Sequence, residues 1–214
     1  MKKIFITFEG GEGSGKSTQI ELLKEYFVAK KMPVVLTREP GGSLICEQIR
    51  GVLKDGNNGK MGKVTELLLF SAARSQHAED IILPALKRGE VVISDRFYDS
   101  SIVYQGYGRG LGEKLVREVT KIAIGDLEPT LTFYLSIDPV LAFKRKNGPD
   151  NDRFEQAGLD FHKQVREAYL NLAKAEKRIK VIDASKSIEE VSKEIVNVLE
   201  KELPNLLDEE NKTI

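Results

Sequence analysis

The stretch Gly10-Gly11-Glu12-Gly13-Ser14-Gly15-Lys16-Ser17 matches G-x-x-x-x-G-K-[ST] at every position. That motif works only between a strand and a helix, so it commits the chain to an α/β architecture. Both neighbours are legible. Ile4 to Phe8 is β-branched and aromatic enough for a buried strand, and Gln19 to Lys31 carries Ile20, Leu23 and Phe27 at helical spacing. Glycines let backbone N–H groups close around phosphate oxygens, and the helix beginning near Gly15 turns its positive dipole end to the same point. Lys16 then reaches the β- and γ-phosphates of a nucleoside triphosphate, and the Ser17 hydroxyl holds Mg²⁺. A glycine-rich turn bearing a surface lysine would need neither flanking element.

Strand signals recur at Val34 to Thr37, Val91 to Asp95, Leu131 to Ile137 and Ile179 to Asp183, with helical patterns between them. The expected fold is a three-layer α/β sandwich, a parallel sheet of about five strands with helices on both faces. With 214 residues, one domain over 1–207 is expected, with a polar, flexible tail over 208–214. Thirty-three basic residues balance thirty-three acidic ones, so bulk charge gives no reason to expect nucleic acid or an anionic membrane. No stretch approaches the roughly 18 apolar residues of a membrane span. The single cysteine, Cys46, has no internal disulfide partner and reads as a small helix residue. A soluble, cytoplasmic protein is expected.

Several side chains fall where strands of such a sheet deliver ligands. Asp95 ends a short apolar run, the form in which a buried strand presents a carboxylate to Mg²⁺. Arg38 follows the second strand, and the next helix carries Arg50; each is a candidate anion contact or a solvated surface charge. Phe70 and Arg74, four residues apart, place a ring and a guanidinium on one helix face. That pair suits stacking on a base and reading its edge, or is a core phenylalanine beside an exposed arginine. His77 and His162 lack metal-like spacing and read as structural or solvated. Cations flank Asn147-Gly148-Pro149, so residues from about 144 to 158 are either a lid that brings arginine onto a transferred phosphoryl group or a solvated loop.

Taken in order, Glu9 through Ser17, Arg38-Glu39-Pro40-Gly41-Gly42, Phe70 with Arg74, and Asp95-Arg96-Phe97-Tyr98 running to Tyr104-Gln105 resemble bacterial thymidylate kinases. The resemblance implies a nucleoside monophosphate kinase fold and phosphoryl transfer from Mg-ATP to dTMP, in a homodimer. It implies that Gly10 to Ser17, Thr18 and Arg145 bind ATP. It places Phe70 on thymine, Arg74 on its O4, Ser101 and Gln105 around the base, Tyr104 under the deoxyribose and Glu9 by the 3′-hydroxyl. Arg38, Arg50 and Arg96 would hold the acceptor phosphate, in a loop shaped by Pro40 after a cis bond. No arginine occupies Gly11 to Ser14, so Arg153 resembles the catalytic lid arginine, acting with Lys16, Asp95 and Arg96. Phe97 stands where the family commonly has tyrosine. The open alternatives are a related kinase for another nucleotide or deoxynucleoside, and a nucleotide-hydrolysing switch, against which the absence of N-K-x-D counts.

Overall fold

The computed structural model describes residues 3–145 and 158–204. Strand β1 (Phe5–Glu9) runs into the glycine loop and helix α1 (Lys16–Ala29). Then follow β2 (Val34–Arg38), α2 (Leu44–Lys54), α3 (Lys63–His77), α4 (Leu83–Lys87), β3 (Val91–Asp95), α5 (Tyr98–Ser101) and α6 (Glu113–Ile124). The chain continues through β4 (Leu131–Ser136), α7 (Pro139–Arg145), α8 (Leu159–Ala175), β5 (Ile179–Asp183) and α9 (Ile188–Glu202). The five strands are parallel in the order β2-β3-β1-β4-β5, as the alternation of elements predicts.

Strand alternation divides the core between the two faces. Ile4, Ile6 and Phe8, with Phe133 and Leu135, pack against Leu23 and Phe27 of α1 and Ile195 and Leu199 of α9. Phe5, Val92 and Tyr134 face the other way, against Leu67 of α3, Leu86 of α4, Val116 of α6 and Tyr169 and Leu172 of α8. By the same alternation Thr7 and Glu9 share the Phe5 face, which turns the Glu9 carboxyl towards α5 and α8. The central position of β1 puts its C-terminal end between those of β3 and β4, with Phe8 in register with Asp95. Both carboxylate-bearing strand ends, Glu9 and Asp95, therefore open onto one edge.

Two local features differ from the expected pattern. The segment from Glu66 to Leu86, whose apolar spacing suits one long or two successive helices, lies within α3 and α4, which are joined by a π-helical turn over Ala78–Ile82, with Pro84 in the first turn of α4. A second π turn, Ile102–Gly108, prolongs α5. A π turn adds one residue without changing the apolar composition, so spacing alone does not reveal it. Of the expected lid and tail, residues 146–157, including Arg153, and 205–214 lie outside the described residues. No helix among the described residues is long and apolar enough to cross a membrane.

Candidate active site

The glycine loop is held by close backbone contact. A Cβ on Gly13, at φ +74°, would lie 2.3 Å from the Ala142 carbonyl oxygen of α7, and one on Gly10 would meet Leu135 O at 2.8 Å. Only glycine fits where backbone abuts backbone in these conformations. Gly15 precedes α1 with φ 86°, and no side chain caps the helix, so its first-turn N–H groups face the loop's concavity. Lys16 is buried, and its Nζ donates to Gly10 O at 3.1 Å and Gly11 O at 2.9 Å. Burial, aided by the Arg96 charge, pulls the lysine below its ordinary range against the opposing pull of Glu12, Asp95 and Glu9.

Beyond β3 the chain turns sharply at Arg96, a non-glycine residue at φ 72°. That left-handed conformation costs on the order of 1 kcal/mol or more. It returns the guanidinium to the loop: Nη2 donates to Glu12 at 3.0 Å, Nη1 to Ser100 at 3.3 Å, and the group stands 5.4 Å from the Tyr104 ring centroid. Lys16 first and then Arg96 draw the Glu12 carboxyl down to about 2. Asp95, beside them, keeps Oδ1 buried and without a hydrogen-bond partner among the described residues. Glu9 is fully buried and accepts from Phe97 N at 2.9 Å, Ser100 Oγ at 2.5 Å and Tyr169 Oη at 2.7 Å. Burial, reinforced by Asp99, nevertheless pushes its carboxyl up to about 7.

Next to this edge is a cavity of ≈ 180 Å³ whose walls include Glu12, Asp95 and Arg96 together with Phe70, Arg74, Ser101 and Gln105. Arg38, Pro40, Arg50 and Tyr104 also line it. The Glu39–Pro40 bond is cis, as the resemblance implies, and Arg50 Nη1 donates to Pro40 O at 2.6 Å. Arg38 donates to Glu47 at 2.7 Å. Arg74 is 1% exposed, which overturns the reading of it as a surface charge. Its Nε donates to Glu39 at 2.8 Å, and Nη2 donates to Ser101 Oγ at 2.9 Å and to Phe97 O at 3.4 Å. Its buried Nη1 has no partner among the described residues.

Glu9 lies just behind this cavity through Ser100 and Phe97, and Arg145 lies apart from it. Arg145 donates to Ala184 O at 2.6 Å and Ser185 O at 2.9 Å, one helical turn beyond the Ala142 carbonyl that abuts Gly13. His77 is structural: fully buried, it contacts Glu39 through Nδ1 at 3.0 Å and Thr37 through Nε2 at 2.5 Å. Cys46 is buried, its thiol donating to Ala73 O at 3.2 Å.

Sequence reasoning missed Glu39, Glu66, Ser100 and Tyr169. Glu66, an acid directly before the apolar run Leu67 to Phe70, carried a faint signal of burial; Tyr169, in a helix more than a hundred residues from its partner Glu9, carried none.

The thymidylate kinase family model matches residues 8–195. A thymidylate kinase of Symbiobacterium thermophilum is 50% identical over 202 residues, spanning 94% of this chain and 94% of its own length. Another, of Finegoldia magna, is 45% identical over 199 residues, 92% of this chain and 98% of its own. The crystal structure of thymidylate kinase from Ehrlichia chaffeensis matches with a TM-score of 0.75 at 36% identity, covering 92% of this chain and 98% of that one. With a family model over most of its length and relatives at such identity, the chain belongs to the thymidylate kinase family.

Proposed function

We propose that the protein transfers the γ-phosphoryl group of Mg-ATP to dTMP, giving dTDP and ADP. The observation that carries this reading is the shared edge: Glu12, Asp95 and Arg96 belong both to the phosphate-loop cluster and to the wall of the cavity holding Phe70, Arg74 and Gln105. A triphosphate in the loop and a base in the cavity would bring donor and acceptor phosphates together at Arg96.

An acceptor phosphate oxygen is already anionic, so no general base is needed and catalysis reduces to alignment and charge neutralisation. Lys16 and the first-turn N–H groups of α1 bind the donor phosphates; Arg96 steadies the charge between donor and acceptor, with Arg153 assigned by resemblance to the transferred group. Ser17 Oγ and Asp95 form an all-oxygen donor set suited to Mg²⁺, and the partnerless Asp95 Oδ1 fits that role. Bound Mg²⁺ supplies further charge neutralisation on the phosphate oxygens. Phe70 stacks on the base, and Arg74 Nη1, the donor its other contacts leave over, is directed to O4 of thymine, where the amino group of cytosine cannot accept. Tyr104 excludes a 2′-hydroxyl, and Glu9 faces the 3′-hydroxyl.

A homodimer is proposed as well. Helices α2, α3 and α6 pack in sequence and expose Val52, Leu68 and Ile122, apolar surface suited to helix packing between two copies. A reducing, cytoplasmic setting agrees with the single buried thiol. The test is ADP formation from Mg-ATP with dTMP, dUMP, dCMP, dGMP and the ribose counterpart of dTMP supplied in turn. A clear preference for dTMP is expected. Equal transfer to all, or none, would leave only the phosphate loop standing.

A further inference from the structure

Glu66 is a buried acid that the reaction above does not use. It lies on α3, one turn before Phe70, and is 1% exposed. Its Oε1 accepts from Gln105 Nε2 at 2.8 Å, and Arg109 donates from Nε to Oε1 at 3.3 Å and from Nη2 to Oε2 at 3.4 Å. The Arg109 guanidinium is in turn seated 5.5 Å from the Phe161 ring centroid. Gln105 is itself buried and lines the cavity that holds Phe70 and Arg74.

A primary amide is ambiguous by itself, because a rotation about its last bond exchanges a two-hydrogen donor for an acceptor at almost no cost. Its neighbours decide which end points where. An ion-paired carboxylate accepts only, so Gln105 must turn its NH₂ to Glu66; the reverse orientation would set two acceptors against each other inside the protein. The acceptor of Gln105 is then the amide end turned away from Glu66, and no hydrogen bond engages this Oε1 among the described residues.

We infer that Glu66, braced by Arg109, is a specificity-determining positioning residue: it fixes the Gln105 amide as an acceptor, so that the cavity selects pyrimidines carrying an N3–H. The inference rests on the proposed base site and adds a second criterion to Arg74. Arg74 offers a donor where the base must accept, at O4; Gln105 offers an acceptor where the base must donate, at N3. Thymine and uracil satisfy both, and cytosine, with an amino group at C4 and a lone pair at N3, violates both. The two readers are built alike, each backed by a buried glutamate, Glu39 behind Arg74 and Glu66 behind Gln105.

The test uses the 5-methylpyrimidin-2-one analogue of dTMP, which carries hydrogen in place of O4 and a lone pair at N3; the loss of O4, read by Arg74, is common to wild type and variant and cancels in the change of preference between them. In Glu66→Gln the new side chain can itself donate or accept, so Gln105 is released to turn its NH₂ to the analogue. The preference for dTMP over the analogue, as a ratio of kcat/KM values, is expected to fall by at least about tenfold. A purely structural role would lower both values together; an unchanged ratio overturns the inference. Gln105→Leu separates this from the base site itself. If Gln105→Leu lowers the preference and Glu66→Gln does not, only the role of Glu66 falls; if Gln105→Leu leaves it unchanged, the placing of Gln105 at N3 in the base site falls as well. Should Glu66→Gln fail to fold, the wild-type protein decides by ¹⁵N NMR, with the Gln105 side-chain signal assigned by its loss in Gln105→Leu. Its NH₂ is expected to be protected from exchange with and without dTMP, and free exchange, or protection gained only with dTMP, overturns the inference.

Discussion

Replacing Glu9 by glutamine tests the electrostatics at the centre of the site. Burial, and then Asp99, raises the Glu9 carboxyl from 4.5 to about 7, against the opposing effects of Arg96, Ser100 and Tyr169. Between those two values the folded protein binds more protons than the unfolded chain, so stability falls as pH rises through this window and levels off above it. At about 1.4 kcal/mol per pH unit, the ionised group costs the folded state about 3 kcal/mol by pH 8. Glutamine has nearly the same shape, keeps an acceptor for Phe97 N, and leaves Ser100 and Tyr169 hydroxyls that can turn to accept. The stability of Glu9→Gln relative to wild type should therefore increase by about 2–3 kcal/mol between about pH 5 and about pH 8, measured by urea unfolding of both proteins across that range. Titrating groups that do not interact with Glu9 cancel in the difference. Parallel pH profiles for the two proteins would refute the reasoning.

Gly13→Ala should cost about 1–3 kcal/mol of stability and weaken ATP binding at least about tenfold, because its Cβ meets the Ala142 carbonyl at 2.3 Å from a left-handed backbone; urea unfolding and ATP titration check both, and wild-type behaviour would refute it. Arg178→Met should cost about 3–5 kcal/mol, since it leaves the fully buried Asp99, now gripped by two bonds of 2.7 Å, without its counter-charge. The pair Asp99→Leu with Arg178→Met should recover part of that loss, and a single variant as stable as wild type would remove the ion pair from the account. Arg153→Ala should lower turnover about a thousandfold while sparing dTMP binding, read by steady-state rates against a binding titration; unchanged turnover would remove Arg153 from the reaction.

The fold was legible because its signals are local. The glycine motif demands a strand and a helix, and β-branched runs at Val34, Val91, Leu131 and Ile179 mark the remaining strands. Helix α1 begins at Lys16, before the first apolar residue of its pattern, because a glycine and not a side chain caps it. The placing of the candidate site was legible where one side chain suggests its chemistry, since Asp95 and the pair Phe70 and Arg74 line one cavity and Lys16 lies buried in the glycine loop. It was not legible where function depends on what a side chain meets. Nothing near Arg96 in the sequence predicts a left-handed arginine, and nothing near Glu39 predicts that its carboxylate is buried between Arg74 and His77. Such contacts join residues tens of positions apart and leave no period in the sequence.

Those contacts also sort arginines that look alike in the sequence. Arg96 is held by Glu12, whose side chain is 51% exposed, and Arg38 by Glu47, 42% exposed. A carboxylate open to water is rehydrated when it is displaced, so an incoming phosphate, which brings its own charge to the arginine, displaces Glu12 or Glu47 at less cost than it would a buried partner. Arg74 is different, because it and Glu39 are 1% and 4% exposed, and breaking such a pair costs about 3–5 kcal/mol. A phosphate cannot draw Arg74 from its carboxylate for the energy it draws Arg96 from Glu12. The buried arginine therefore keeps a fixed direction, which under the proposed function suits it to the edge of a base, while the arginines with exposed partners are suited to exchange carboxylate for phosphate. On the proposed function, burial of the partner carboxylate, more than the identity of the cation, divides the arginine suited to base recognition from those suited to phosphate binding in this cavity.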